Sequence, residues 1–190
     1  MNPEPRYQGD YINRQVEAAR RVLADVGQVL ASFHDAMVVV GGWVPDLLLP
    51  GVEPEHVGSI DVDLALDAAK LGDGRYAELL KLLLDTGRYE KGDKDFQLVT
   101  TVDLLDGEVP VRVEVEFLAP SDVKFGKNHP KLVEGFRVLQ VPACAAAFEH
   151  PENVEFEGLM ISGATNTVHL RVASLQDFVI MKAHALGGRD

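Results

Sequence analysis

Near the start of the chain, apolar residues recur at steps of three and four: Val16, Ala19, Leu23, Val26, Leu30 and Phe33. That spacing predicts one buried helix face, with Asp10 placed to cap the first turn. The pattern then changes. Residues 36–40, AMVVV, form a run that fits a strand buried on both faces, and Gly41-Gly42 stops it. A short helix is expected over 43–49, because Pro45 suits a first helical turn and Pro50 ends it. IDVDLAL (60–66) predicts a second strand, and RYAELLKLLLDTG (75–87) a helix closed by Gly87. FQLVTTVDLL (96–105) and VPVRVEVEFL (109–118) flank Asp106-Gly107, the signal of a hairpin.

Beyond Pro120 the pattern loosens. Residues 121–137 are loop-like and locally basic, with Lys124, Lys127, Lys131 and Arg137. VPACAAAFEH (141–150) is a short helix candidate, and TNTVHLRVA (165–173) alternates as a strand does. SLQDFVIMKAHAL (174–186) opens with Ser174 and Asp177 spaced as a capping box. The order predicts an α/β or α+β domain, a mixed β-sheet with helices on one side. Residues 1–120 are expected to form its core. Residues 121–190 are expected to form an extension, with the basic loop and a terminal helix, packed on that core.

Two strand patterns carry candidate chemistry. On IDVDLAL, Asp61 and Asp63 share one face while Ile60, Val62 and Leu64 share the other. Carboxylates two residues apart on a strand lie about 6–7 Å from each other. They repel, and at least one pKa rises unless a cation lies between them. On VPVRVEVEFL, Glu114 and Glu116 share a face with Arg112, opposite Val111, Val113, Val115 and Phe117. A third carboxylate from this strand would complete a hard, oxygen-rich site of the kind Mg²⁺ accepts. Alternating acids are more often the solvated face of a half-buried sheet. Asp61 and Asp63 fit that reading less well, because aspartate is a poor strand former and their strand continues as apolar LAL.

Composition narrows the options. The 190 residues include 30 Asp and Glu against 18 Lys and Arg, a formal charge of −12. That balance opposes a grip on nucleic acid or anionic membrane through overall charge and favours a metal or a basic partner. One cysteine, Cys144, excludes an internal disulfide and lies in a small-residue apolar stretch where packing is the simpler role. No stretch is apolar enough to span a bilayer, and MNPEPRYQGD lacks the pattern of a signal peptide, so a soluble cytoplasmic protein is expected. The six histidines show no zinc spacing, and a lone Trp43 beside the glycines reads first as core, with base stacking as the alternative.

Taken together, GGW, then GSIDVDLAL, then an acid within VEVEFL resemble the polymerase-beta-like nucleotidyltransferase superfamily over residues 36–118. HVGSIDVDLAL and the later SLQDFVIMKAHALGGRD look most like AbiEii-type nucleotidyltransferases, the toxin half of type IV toxin/antitoxin pairs. The resemblance implies a nucleotidyltransferase core using Mg²⁺, with two metal ions. Asp61 and Asp63 would hold the metal, with Glu116 as third acid and Glu114, on the same face, as the alternative. Gly41 and Gly42 would let the backbone approach a nucleoside triphosphate, Ser59 would donate to a phosphate oxygen, and Lys182 would offset triphosphate charge. Arg189 and Asp190 match a further Arg-Asp element. Eighteen residues separate Gly42 from Asp61, implying an inserted loop around 50–56, and His56 stands at the usual basic position before Asp-x-Asp. The family also implies more helices after Lys182 than the eight residues that follow it here.

The implied activity is transfer of a nucleoside monophosphate from an NTP to an acceptor hydroxyl. The AbiEii resemblance points to transfer RNA or another RNA as acceptor and to a cognate antitoxin as partner. Two other readings stand beside it. One is transfer to a small hydroxyl-bearing molecule such as an antibiotic. The other is a degenerate, non-catalytic homologue acting as a binding protein.

Overall fold

A computed structural model describes residues 13–53, 56–121 and 136–187. The first apolar face folds as α1 (Asn13–Val29), which buries Ala18, Ala19, Val22, Leu23 and Val26. The periodicity carries on to Phe33, but the helix does not. Leu30 leaves helical geometry, and the chain tightens into a 3₁₀ turn over Ala31–Ala36 that still delivers Leu30 and Phe33 to the core. The cap expected from Asp10 lies outside the described residues.

β1 (Met37–Val40) is buried along its whole length. Gly41 follows at φ +72, a left-handed backbone that glycine adopts without penalty, and α2 (Trp43–Leu48) begins two residues later. After the loop come β2 (Asp61–Leu66) and α3 (Ala68–Asp85). α3 starts earlier than its apolar pattern, because the Asp67 side chain accepts from the amides of Ala69 and Lys70 and caps it. Gly72, at φ +50, interrupts the helical backbone early in α3.

The two-residue β3 (Glu90–Lys91), β4 (Gln97–Val102) and β5 (Val111–Pro120) come next, with β4 and β5 paired as the expected antiparallel hairpin. Its connection, residues 103–110, is longer than a two-residue turn and is tied to α1 by Arg14, which binds Asp106 at 2.5 and 3.0 Å. β6 (Leu139–Val141), a 3₁₀ turn over Pro142–Phe148, β7 (Glu152–Leu159), β8 (Thr165–Val172) and α4 (Leu175–Gly187) complete the described chain.

Eight strands form one mixed sheet in the order β3-β4-β5-β2-β1-β8-β7, with β6 also paired to β5. β2/β5, β1/β8 and β5/β6 are parallel, and the remaining pairs are antiparallel. The fold class is therefore a mixed α/β (α+β) sheet with flanking helices. Three strands from residues 136–187 belong to the same sheet as β1 and β5. β7 was not foreseen. It is an edge strand whose Glu152, Asn153, Glu155 and Glu157 are exposed, with Val154 and Phe156 as its main apolar anchors.

One face of the central strands is fully apolar. Val62, Leu64, Val113, Val115 and Phe117 are all 0–1 % exposed. Burying each such side chain contributes about 1.5–3 kcal/mol, so register is strongly specified: a one-residue slip would turn this face to water and drive the acids inward. A polar bolt supplements the core. Asp25 of α1, 2 % exposed, accepts from Arg88 at 3.0 Å and from the Tyr89 hydroxyl at 2.7 Å, fastening α1 to the segment after α3. Among the described residues no helix is long and apolar enough to cross a membrane.

Candidate active site

The parallel pairing of β2 with β5 sets Asp61 opposite Glu114 and Asp63 opposite Glu116. In-register neighbours on adjacent strands point to the same side. All four carboxylates therefore share the face opposite the apolar layer, at the centre of the sheet rather than at its edge. Each residue as a whole is half-buried, while the carboxyl of Asp63 is enclosed by the surrounding protein.

Local structure explains how a strand tolerates two aspartates. The Ser59 hydroxyl, on a residue 6 % exposed, donates to Asp61 Oδ1 at 2.6 Å. Trp43, 0 % exposed, donates its indole Nε1–H to the Asp61 carbonyl at 2.7 Å. Trp43 is thus core, and it also pins the strand that carries the acids. The glycine pair closes over them. A Cβ at residue 41 would meet Asp63 Oδ2 at 2.1 Å, and one at residue 42 would meet Ser59 Oγ at 2.7 Å. The backbone turn lies directly against the carboxylate, an approach open only to glycine.

Electrostatic stress concentrates on Asp63. Burial of its carboxyl raises its pKa well above the ordinary 3.8, and the charges of Asp61 and then Glu116 raise it further, while Lys182 and Lys94 oppose the rise. Desolvation leads, and the like-charge effect expected of paired carboxylates adds to it. Of the two glutamates, Glu116 is opposite Asp63 and its charge contributes to that shift. Glu114 is opposite Asp61 and accepts from Gln97 Nε2 at 2.6 Å.

Lys182 lies on α4, which packs on α2. Its side chain is exposed, with Nζ 5.8 Å from the Phe178 ring centre, and its charge reaches both Asp63 and His56. Half of the capping box expected at the start of α4 is formed: Ser174 Oγ accepts from the Asp177 amide at 3.1 Å, while the Asp177 carboxylate accepts from the Ser174 hydroxyl at 2.6 Å in place of the Ser174 amide. His56 Nδ1 accepts from the Gly58 amide at 3.0 Å, and burial lowers the pKa of this histidine. It is therefore a poor cationic phosphate ligand at neutral pH. Arg189, Asp190 and the lysines at 124, 127 and 131 lie outside the described residues.

Two side chains at the site were not singled out from the sequence. Gln97, 1 % exposed at the start of β4, donates through Nε2 to Glu114 Oε2 at 2.6 Å and to Glu116 Oε1 at 3.1 Å. Lys94, on the turn before β4, pairs with Glu116 Oε1 at 2.7 Å. A long polar side chain opening a strand of apolar and threonine residues is the available signal for Gln97; only the pairing of β4 with β5 shows that it faces the acids. Ser59 was expected to meet a phosphate, yet its hydroxyl is engaged by Asp61. Cys144 is buried, and that burial pushes its thiol up to about 12, which suits packing rather than nucleophilic chemistry.

The donor set, carboxylates held around a desolvated aspartate, suits a hard divalent cation, which would relieve the repulsion at Asp63. Among the described residues no three His, Cys, Asp or Glu side chains already converge on one metal position. Glu116 is held by Lys94 and Gln97, and Asp61 by Ser59, so the ligands are near one another but engaged elsewhere. Compared with known proteins, the chain matches no family model and no curated sequence.

Proposed function

We propose that this chain is a Mg²⁺-dependent nucleotidyltransferase, moving a nucleoside monophosphate from an NTP to an acceptor hydroxyl. The observation that carries the reading is the in-register array of Asp61, Asp63, Glu114 and Glu116 on one sheet face, with the Gly41 backbone closed against Asp63. Solvated acids on a sheet need neither a buried carboxyl with a raised pKa nor a glycine turn packed on it.

Asp61, Asp63 and Glu116 would hold the metal, which supplies charge neutralisation at the triphosphate and lowers the cost of ionising the acceptor hydroxyl. The acceptor oxygen bonds to the α-phosphorus, pyrophosphate leaves with the electron pair of the broken P–O bond, and the hydroxyl proton passes to Glu116. Ser59 and Trp43 hold Asp61 in place. Gly41 and Gly42 keep the wall of the site free of side chains. Lys182 adds positive charge where the triphosphate would sit. Such chemistry asks mainly for positioning and charge compensation, which is what these residue types provide.

Transfer RNA as acceptor, and an antitoxin as protein partner, rest on the resemblance to AbiEii-type enzymes. The net charge of −12 favours the second reading, a small cationic acceptor such as an aminoglycoside. The test is a transfer assay with each ribonucleoside triphosphate labelled at the α-phosphate, with Mg²⁺, total transfer RNA and a panel of hydroxylated antibiotics. Asp61→Asn is the control. Label on RNA that disappears in the variant supports RNA transfer, and label on an antibiotic moves the acceptor to small molecules. Absence of label from every acceptor, with no metal-dependent nucleotide binding, would sink the enzymatic reading and leave the binding-protein one.

A further inference from the structure

Four carboxylates on one sheet face need compensation before any metal arrives, and the groups that provide it differ in kind. Ser59, which holds Asp61, and Gln97, which bridges Glu114 and Glu116, are neutral and buried. Each is fixed by its position on the strand or just before it.

Lys94 differs. Its ammonium brings a full charge to Glu116 Oε1 at 2.7 Å, and its side chain is 48 % exposed where that of Glu116 is 14 % exposed. The turn that carries it, residues 92–96, is well braced. The Gly92 amide donates to the Gln97 carbonyl at 2.8 Å, Asp93 accepts from Arg112 at 3.0 Å, and the Phe117 amide donates to the Phe96 carbonyl at 3.0 Å. The lysine therefore projects as a flexible arm from a fixed base, with Nζ 5.5 Å from the Phe96 ring centre.

A carboxylate serves as a metal ligand only if its lone pairs are available. With the ammonium end half in water, this pair is screened and holds Glu116 only modestly. A divalent cation held by Asp61 and Asp63 would compete with Lys94 for Glu116. The displaced ammonium, a compact charge on a long stem, is left at the rim of the site, where an incoming polyphosphate is the nearest new counter-charge.

We propose that Lys94 is an exchangeable counter-ion: it holds Glu116 in the metal-free protein, yields that carboxylate to the divalent cation, and moves to the phosphates of the nucleotide substrate. This rests on the metal-dependent reading of the site. The exchange makes metal and nucleotide binding cooperative, since each removes a partner the other would have to displace.

The test uses the whole chain without acceptor. Mn²⁺ is titrated and followed by the electron paramagnetic resonance of the free ion, and binding of Ca²⁺–ATP is measured separately. Lys94→Met is expected to bind Mn²⁺ three- to fivefold more tightly than the unaltered protein, because the competitor is gone, and Ca²⁺–ATP about tenfold more weakly, within the usual range of one charged contact. Lys94→Arg should return both values most of the way. Unchanged or weaker Mn²⁺ binding in Lys94→Met, or unchanged ATP binding, overturns the exchange. Asp63→Asn separates this from the underlying reading: Mn²⁺ binding indifferent to Asp63→Asn overturns the metal site and the exchange with it. Thermal melts of each variant establish that the fold is intact, as the exposure of Lys94 leads one to expect.

Discussion

Gly41 and Asp63 are packed so closely that a single added methyl group at residue 41 would fall 2.1 Å from Asp63 Oδ2. The turn after β1 and the acid on β2 are built as one unit, joined by the pairing of Val40 with Asp63.

Gly41→Ala tests that unit. The left-handed backbone alone costs an alanine about 1–2 kcal/mol, and the clash must also push the carboxylate aside. The variant should melt at a lower temperature and lose transfer activity out of proportion to its lost stability. Activity retained at a matched folded fraction would argue against any role for the Gly41–Asp63 contact.

Asp63 predicts a pH dependence with a definite sign. Its pKa is raised in the fold above the ordinary 3.8, so the native state holds this proton more tightly than the unfolded chain does. The contribution to stability is full below about pH 4 and is lost as pH rises through the folded pKa. Asp63→Asn stays neutral throughout. The melting temperature of the variant should match the unaltered protein near pH 4 and exceed it at neutral pH without metal, while transfer activity is lost. Parallel melting curves across the whole range would contradict the predicted stress at this carboxyl.

Trp43→Phe removes the 2.7 Å bond to the Asp61 carbonyl and leaves a void beside it. A buried carbonyl without its donor costs about 1–3 kcal/mol. Urea denaturation should show a loss of that size, and triphosphate binding should weaken because Asp61 is no longer held. A purely packing role for the indole predicts the first effect without the second.

Asp25→Ala strips the partner from Arg88 and from the Tyr89 hydroxyl, a cluster that bonds none of the site carboxylates. Breaking a buried pair by deleting one member costs about 3–5 kcal/mol; the 34 % exposure of the Arg88 side chain lets water screen the remaining charge and places the expected loss at or below the lower end. Denaturation midpoints measure it, and transfer per folded molecule should be unchanged.

Much of this architecture was legible in one dimension. Period-two alternation put Asp61 with Asp63, and Glu114 with Glu116, on common faces, because side-chain direction in a strand depends only on counting residues. Caps and breakers worked for the same local reason, as at Gly41, Pro45 and the Ser174 cap. The chain was harder to read where local signals were weak or opposed. Phe33 kept helical spacing while the backbone tightened to 3₁₀, and β7 escaped notice because an edge strand rich in exposed glutamates has little apolar pattern to display.

What the amino-acid order determined by itself was therefore the set of elements near the site, the face each acid occupies and the charge that must be balanced. Which strands lie side by side was decided only by the tertiary structure. Pairing of β2 with β5 placed Asp63 against Glu116, pairing of β4 with β5 brought Gln97 and Lys94 to the glutamates, and packing of α4 on α2 set the charge of Lys182 near Asp63. The reason is physical: periodicity is a property of neighbours in sequence, whereas strand order follows from burying the apolar faces of β2, β5 and their neighbours together, a gain shared by residues far apart in the chain.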